Sequence, residues 1–209
     1  TLNFDGILTH SGQAYYATTR AAVEQIAEEE RRVMVGCADR LRSEGGVDVP
    51  RVSVGSTPAM SVAVNLDGVT EARPGNYALY DYTQATLGSC EVNDCAVTVL
   101  ASVVSSQPGS NHSVVDAGAL GLSKDLGPDT LEIPTVGEIF ADYSIGTLLP
   151  DIRVTSVSQE HGIVSGKIPV GEKVRILPNH SCLTVAMYDE FHVVRGEEVI
   201  DRWKIWRGH

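Results

Sequence analysis

In the segment Pro178-Asn179-His180-Ser181-Cys182 an imidazole and a thiol stand at positions i and i+2. On a strand that spacing puts both side chains on one face, with nothing bulky between them. They then make a workable pair of metal ligands. A soft thiolate beside an imidazole favours zinc over magnesium or calcium, and two protein ligands leave positions open for water or substrate, as in a catalytic site. The plain alternative is a buried thiol next to an unrelated histidine. Gly55-Ser56-Thr57-Pro58 offers a different chemistry. It stands where a strand ends and a helix begins, so backbone N–H groups and two hydroxyls can converge on an anion such as phosphate. The same residues also read as an ordinary helix cap with a proline just inside. Arg73-Pro74-Gly75-Asn76-Tyr77 lies at the next strand, where glycine permits close approach of backbone to ligand, or is simply a turn. Together the two segments fit the phosphate site that α/β barrels build from the loops after their seventh and eighth strands. His10, at the head of His10-Ser11-Gly12-Gln13-Ala14-Tyr15, stands at a strand C-terminus, the face where barrel enzymes keep active residues. It is a candidate for proton handling, with capping or packing as the alternative.

Elements able to position these residues follow from hydrophobic periodicity. Thr1 to His10 reads as a buried strand that begins without a cap, so the chain is expected to start mid-domain. A helix is expected from Gln13 to Ser43, with Ile26, Val33, Met34, Cys37, Ala38 and Leu41 as its apolar stripe and Glu28 to Arg32 as a solvated turn. Gly45 and Gly46 stop it. A strand at Arg51 to Val54, a short helix near Met60 to Val64 and a third strand at Tyr77 to Asp81 follow. Strand and helix in alternation predict a parallel α/β sheet or barrel. Beyond about Glu91 the texture changes. Ala96–Ser105, Ser113–Val115, Asp151–Val157, Lys173–Leu177, Leu183–Met187 and His192–Val194 are short, β-branched and separated by Gly, Pro, Asn and Asp, which predicts a β domain. Glu160-His161-Gly162 reads as a turn within it, and Asp116-Ala117-Gly118 and Leu122-Ser123-Lys124-Asp125 as strand ends and turns. The expected division is 1–91 and 92–209.

Composition narrows the classes of function. With 209 residues, 43% hydrophobic and 21% charged, the chain is globular rather than disordered, collagenous or coiled coil. The longest apolar stretch, Ala96 to Val104, falls short of the ~20 residues a membrane helix requires. Sixteen basic against 27 acidic residues give −11, a charge that repels phosphate backbones and anionic lipid. Neither nucleic acid nor membrane is an expected partner. Four cysteines with no CxxC pair and no signal-peptide pattern predict a reducing compartment, the cytoplasm by default.

The order of the segments resembles a family. His10-x-Gly-x-x-Tyr15, then GSTP, RPGNY with Tyr80-Asp81 and Gln84, Cys95-Ala96, DAG with LSKD, QEHG, PNHSC and the closing Trp203 to Gly208 are together similar to the alanine-racemase-fold pyridoxal 5'-phosphate (PLP) enzymes of the D-serine dehydratase and D-threonine aldolase type. The likeness covers essentially the whole chain. It implies the C-terminal part of a PLP-binding TIM-type α/β barrel followed by a mainly antiparallel β domain that carries a metal. Tyr15, Thr57, Gly75 and Asn76 would bind PLP, with Gly55 and Ser56 helping to cradle its phosphate. His180 and Cys182 would hold zinc or another divalent metal such as manganese. The resemblance places the family's Schiff-base lysine ahead of Thr1, and Lys124, Lys167, Lys173 and Lys204 all fall in the β half.

The activity so implied is a PLP- and metal-dependent lyase on D-β-hydroxy amino acids, most closely of the D-serine dehydratase type, giving pyruvate and ammonia from D-serine. The cofactor would act as an electron sink and the metal as a Lewis acid on the β-hydroxyl. D-threonine aldolase-type cleavage to glycine and an aldehyde is the first alternative, and a catalytically silent fragment without its lysine the second. By the same resemblance a homodimer is expected.

Overall fold

The computed structural model describes residues 2–128, 131 and 133–207. Thr1 of the expected first strand and Gly208 of the closing motif lie outside the described residues. The chain divides into two compact units, Thr1–Ala78 with Thr86–Cys90, and Leu79–Ala85 with Glu91–His209. Among the described residues no helix is long and apolar enough to cross a membrane.

The first unit is built on a three-stranded parallel sheet in the order β1 (Gly6–Leu8), β2 (Arg51–Val54), β3 (Glu71–Ala72). Its long helix α1 spans Arg20–Ser43. The expected helix began at Gln13; instead a 3-10 turn at Gly12–Tyr16 comes first, and Thr19 opens α1 by accepting the Ala22 N–H on its side-chain oxygen at 3.2 Å. The inward stripe also differs. Val23, Ala27, Glu30, Met34 and Ala38 are buried, whereas Val33 is 52% exposed. The run Glu28 to Arg32 is no turn. It continues the helix and sends Glu30 inward, because Ser11 and Gly55 satisfy its carboxylate. A short helix α2, Thr57–Val62, follows β2. The third strand was expected at Tyr77 to Asp81, but β3 pairs with β2 earlier in the chain. Proline at Pro74 ends that run, Asn76–Ala78 forms a 3-10 turn, and Tyr80 takes a left-handed φ of 53°.

The second unit is a closed antiparallel barrel in the order β4 (Val99–Ser105), β5 (His112–Val115), β8 (Gly162–Ser165), β7 (Thr147–Val157), β6 (Gly137–Asp142), β9 (Lys173–Pro178). Val99, Ala101 and Val103 alternate into a core shared with Val115, Leu122, Ile139, Val154, Val164 and Ile176. Closure leaves the barrel no free edge. Three short helices punctuate the unit: α3 (Tyr82–Thr86), which reaches Thr86 of the first unit, α4 (Ala119–Leu122) and α5 (Ser181–Val185). A hairpin of β10 (Glu190–Arg195) and β11 (Glu198–Lys204) completes it. Leu183 to Met187, expected as strand, is α5 and the turn after it, because the Asp81 carboxylate accepts the Ser181 N–H at 3.0 Å and caps the helix start. The turn around Glu160 and His161 joins β7 to β8 as expected, with the Ser158 N–H donating to the His161 carbonyl.

Candidate functional site

The imidazole and thiol of PNHSC come together by a route other than the expected one. β9 ends at Pro178, so no strand pleat aligns the two side chains. His180 sits at the N-cap of α5 and Cys182 within its first turn, and this tight start folds them onto each other. Their hydrogen bond holds the imidazole proton, which raises the His180 pKa to about 9. The same bond draws the Cys182 thiol below its ordinary value. The metal-free pair is thus biased toward imidazolium and thiolate. His180 Nδ1 lies 2.9 Å from Asp125 Oδ2, leaving Nε2 as its other coordinating nitrogen.

Two residues that sequence reasoning left without a role complete this corner. Asp125 follows Ser123, whose φ is 67°, and precedes Gly127 at φ 76°, a tight path that turns its carboxylate toward a histidine 55 residues away. Asp81 is 1% exposed and caps two helix starts, accepting from Gln84 N and Ser181 N at 3.0 Å each. Asn179, fully buried, donates its side-chain N–H to the Asp125 and Thr135 carbonyls. Both aspartates stood in the quoted YD and LSKD segments, which was the available signal.

The donor set fits a metal such as zinc: soft sulfur with thiolate character, a borderline nitrogen, and a carboxylate on the far side of the ring to fix its orientation. Among the described residues no group of three or more His, Cys, Asp or Glu side chains is arranged to hold a metal ion. His180 and Cys182 are the side chains that would hold such a metal.

In the first unit, Gly55, Ser56 and Thr57 form the turn between β2 and α2, and all three are buried. Gly55 adopts φ 121°, a backbone state that only glycine takes without strain. His10 Nδ1–H donates to the Gly55 carbonyl at 3.1 Å, and Glu30 Oε1 accepts the Gly55 N–H at 3.2 Å. Ser11 Oγ donates to Glu30 Oε2 at 3.0 Å and lies 3.3 Å from Ser56 Oγ. Thr57 Oγ1 accepts the Asn76 N–H at 3.1 Å, which ties the turn to the Gly75-Asn76 backbone. A Cβ built on Gly75 would meet nothing within 4 Å. Tyr15 stacks obliquely with His10, ring centroids 6.2 Å apart. Hydroxyls, peptide N–H groups and open space at Gly75 fit a phosphate-bearing group such as PLP. The structure brings all seven expected residues of this unit into one neighbourhood and adds Ser11 and Glu30.

The family description "Putative serine dehydratase domain" matches residues 96–194. A D-serine dehydratase of Dictyostelium discoideum is 39% identical over 96% of this chain and 53% of its own length. The solved D-threo-3-hydroxyaspartate dehydratase of Delftia sp. HT23 superposes with a TM-score of 0.88 at 34% identity, over 98% of this chain and 56% of its own. Solved variants of that dehydratase include a histidine-to-alanine exchange and, two positions further on, a cysteine-to-alanine exchange described as metal-free. An alanine racemase from Bacillus anthracis shares the fold at 13% identity, with a TM-score of 0.53 over 96% of this chain and 57% of its own. The chain spans about half the length of the curated relatives it matches. It belongs to the D-serine dehydratase-like family of alanine-racemase-fold proteins.

Proposed function

We propose that this protein is a PLP- and metal-dependent lyase acting on D-β-hydroxy amino acids, of the D-serine dehydratase type. The observation that carries the proposal is the His180–Cys182 pair backed by Asp125, a soft two-ligand set in a relative of proteins named as dehydratases. The dehydratase solved with a metal-free cysteine variant supports the same residues as ligands. The three-stranded parallel sheet of the first unit is read as the C-terminal part of a TIM-type barrel. Homodimer formation and a cytoplasmic setting belong to the same proposal, supported by the resemblance and by four cysteines that include no CxxC pair.

When bound, PLP supplies an electron sink for charge developing at the substrate α carbon, and a divalent metal supplies a Lewis acid at the β-hydroxyl. Thr57, Asn76 and Gly75, with the Gly55-Ser56 turn, would hold the phosphate, and Tyr15 would help bind the cofactor. His180 and Cys182 would hold the metal, and Asp125 keeps the His180 ring in register. His10 has spent Nδ1 on the Gly55 carbonyl, so Nε2 is its free nitrogen and the atom that moves a proton. D-serine then loses its β-hydroxyl as water, and hydrolysis releases pyruvate and ammonia. The lysines Lys124, Lys167, Lys173 and Lys204 lie in the second unit and are not assigned as the covalent anchor.

The test incubates the protein, loaded with PLP and zinc, with D-serine, D-threonine and D-threo-3-hydroxyaspartate. Keto acid and ammonia are expected. Glycine with an aldehyde would move the reading to aldol cleavage, and no product from any of the three would overturn it.

A further inference from the structure

Glu30 takes no part in the chemistry above, yet it is 7% exposed in the middle of α1. Burying a carboxylate is costly unless hydrogen bonds or a cation compensate it. Among the described residues no ion pair includes Glu30, so compensation comes from two donors, the Gly55 N–H of the anion turn and the Ser11 hydroxyl beside it. A carboxylate only accepts, which fixes the direction of every bond behind it. Ser11 has one hydrogen and gives it to Glu30 Oε2 at 3.0 Å. Its 3.3 Å contact with Ser56 Oγ must therefore accept, and Ser56 spends its own hydrogen on Ser11. Ser56 Oγ also accepts the Ala59 N–H at 3.4 Å. Thr57 is the opposite case: its oxygen accepts the Asn76 N–H at 3.1 Å, and its hydrogen has no acceptor among the described contacts.

We infer that Glu30 is a positioning residue that polarises the relay Ser56 to Ser11 to Glu30, so that Thr57, and not Ser56, is the hydroxyl donor to the phosphate of PLP. This deepens the proposed cofactor reading and rests on it. Ser56 cradles the phosphate through its backbone alone.

The experiment titrates PLP and, separately, pyridoxal, which lacks the phosphate, into the protein and follows cofactor absorbance. Glu30→Ala is expected to weaken PLP binding by about tenfold, the loss of one or two hydrogen bonds at the phosphate turn, and to leave pyridoxal binding unchanged. Glu30→Gln keeps an acceptor for Gly55 N–H and should recover binding to within about threefold of wild type. Thr57→Val should cost about tenfold for PLP, and Ser56→Ala less than about threefold. Should Glu30→Ala fail to fold, the Thr57 and Ser56 variants decide. Equal loss of PLP and pyridoxal affinity, or a larger loss from Ser56→Ala than from Thr57→Val, overturns the positioning role alone. Failure of the wild-type protein to bind PLP overturns the cofactor reading and this inference with it.

Discussion

The turn at Gly55–Thr57 is held by a charge buried behind it, whereas the corner at His180–Cys182 carries its charges near the surface. Glu30 is 7% exposed, while the side chains of His180 and Asp125 are 39% and 35% exposed. Under the proposed function, the first arrangement would offer fixed peptide and hydroxyl dipoles to an anion, and the second would offer an imidazole and a thiol to a cation. Water and salt screen the second more than the first. Rigidity is therefore supplied by hydrogen-bond direction in one unit, and by helix capping at Asp81 and ring orientation at Asp125 in the other.

This contrast can be broken at defined points. Gly118 lies where a Cβ would come within 2.4 Å of the His161 backbone nitrogen and 2.5 Å of the Glu160 carbonyl carbon. Gly118→Ala should cost about 3 kcal/mol, since backbone rather than a flexible side chain must move; thermal unfolding reads it. Asp125→Asn should weaken zinc binding by roughly ten- to a hundredfold, as loss of a carboxylate behind a metal-binding imidazole does, with PLP affinity unchanged. Competition titration with a zinc-binding dye measures the first and absorbance the second.

Glu138 sharpens the comparison from the barrel side. It is 2% exposed, and burial raises its carboxyl above the ordinary 4.5, only partly offset by Arg153 at 3.7 Å. A raised folded-state value favours folding while the group is protonated, and that contribution is lost as pH climbs past it. Glu138→Gln should therefore raise the melting temperature at pH 7, a gain that fades as the pH falls toward 4.5. The smallest effect on stability belongs to Gly75→Ala. With nothing within 4 Å of the new methyl, the melting temperature should hold or rise by an amount worth about 0.5 kcal/mol, while PLP affinity falls.

Four of the six barrel strands, β4, β5, β7 and β9, were legible because apolar alternation such as Val99, Ala101, Val103 reports burial directly, whereas β6 and β8 were not read as strands. The pairing of His180 with Cys182 was legible from spacing, but through a strand geometry the chain does not adopt. Capping by Asp81, 100 residues from Ser181, converts that segment into a helix start, and local pattern carries no trace of so distant a partner. Glu30 was hidden by its charge. Its place three residues after Ala27 and four before Met34 puts it on the buried stripe, and helical period outweighed polarity because Ser11 and Gly55 were waiting for it. Asp125 stood in the LSKD segment, but only the fold brings it to His180 and so gives it a role.

Zinc affinity measured on the metal-free protein and on Cys182→Ala tests the central claim most directly. The wild type should bind one zinc ion per chain and the variant should bind it at least about a hundredfold more weakly, with PLP binding retained. Equal zinc affinity in the two proteins, or no zinc bound by the wild type, would contradict it.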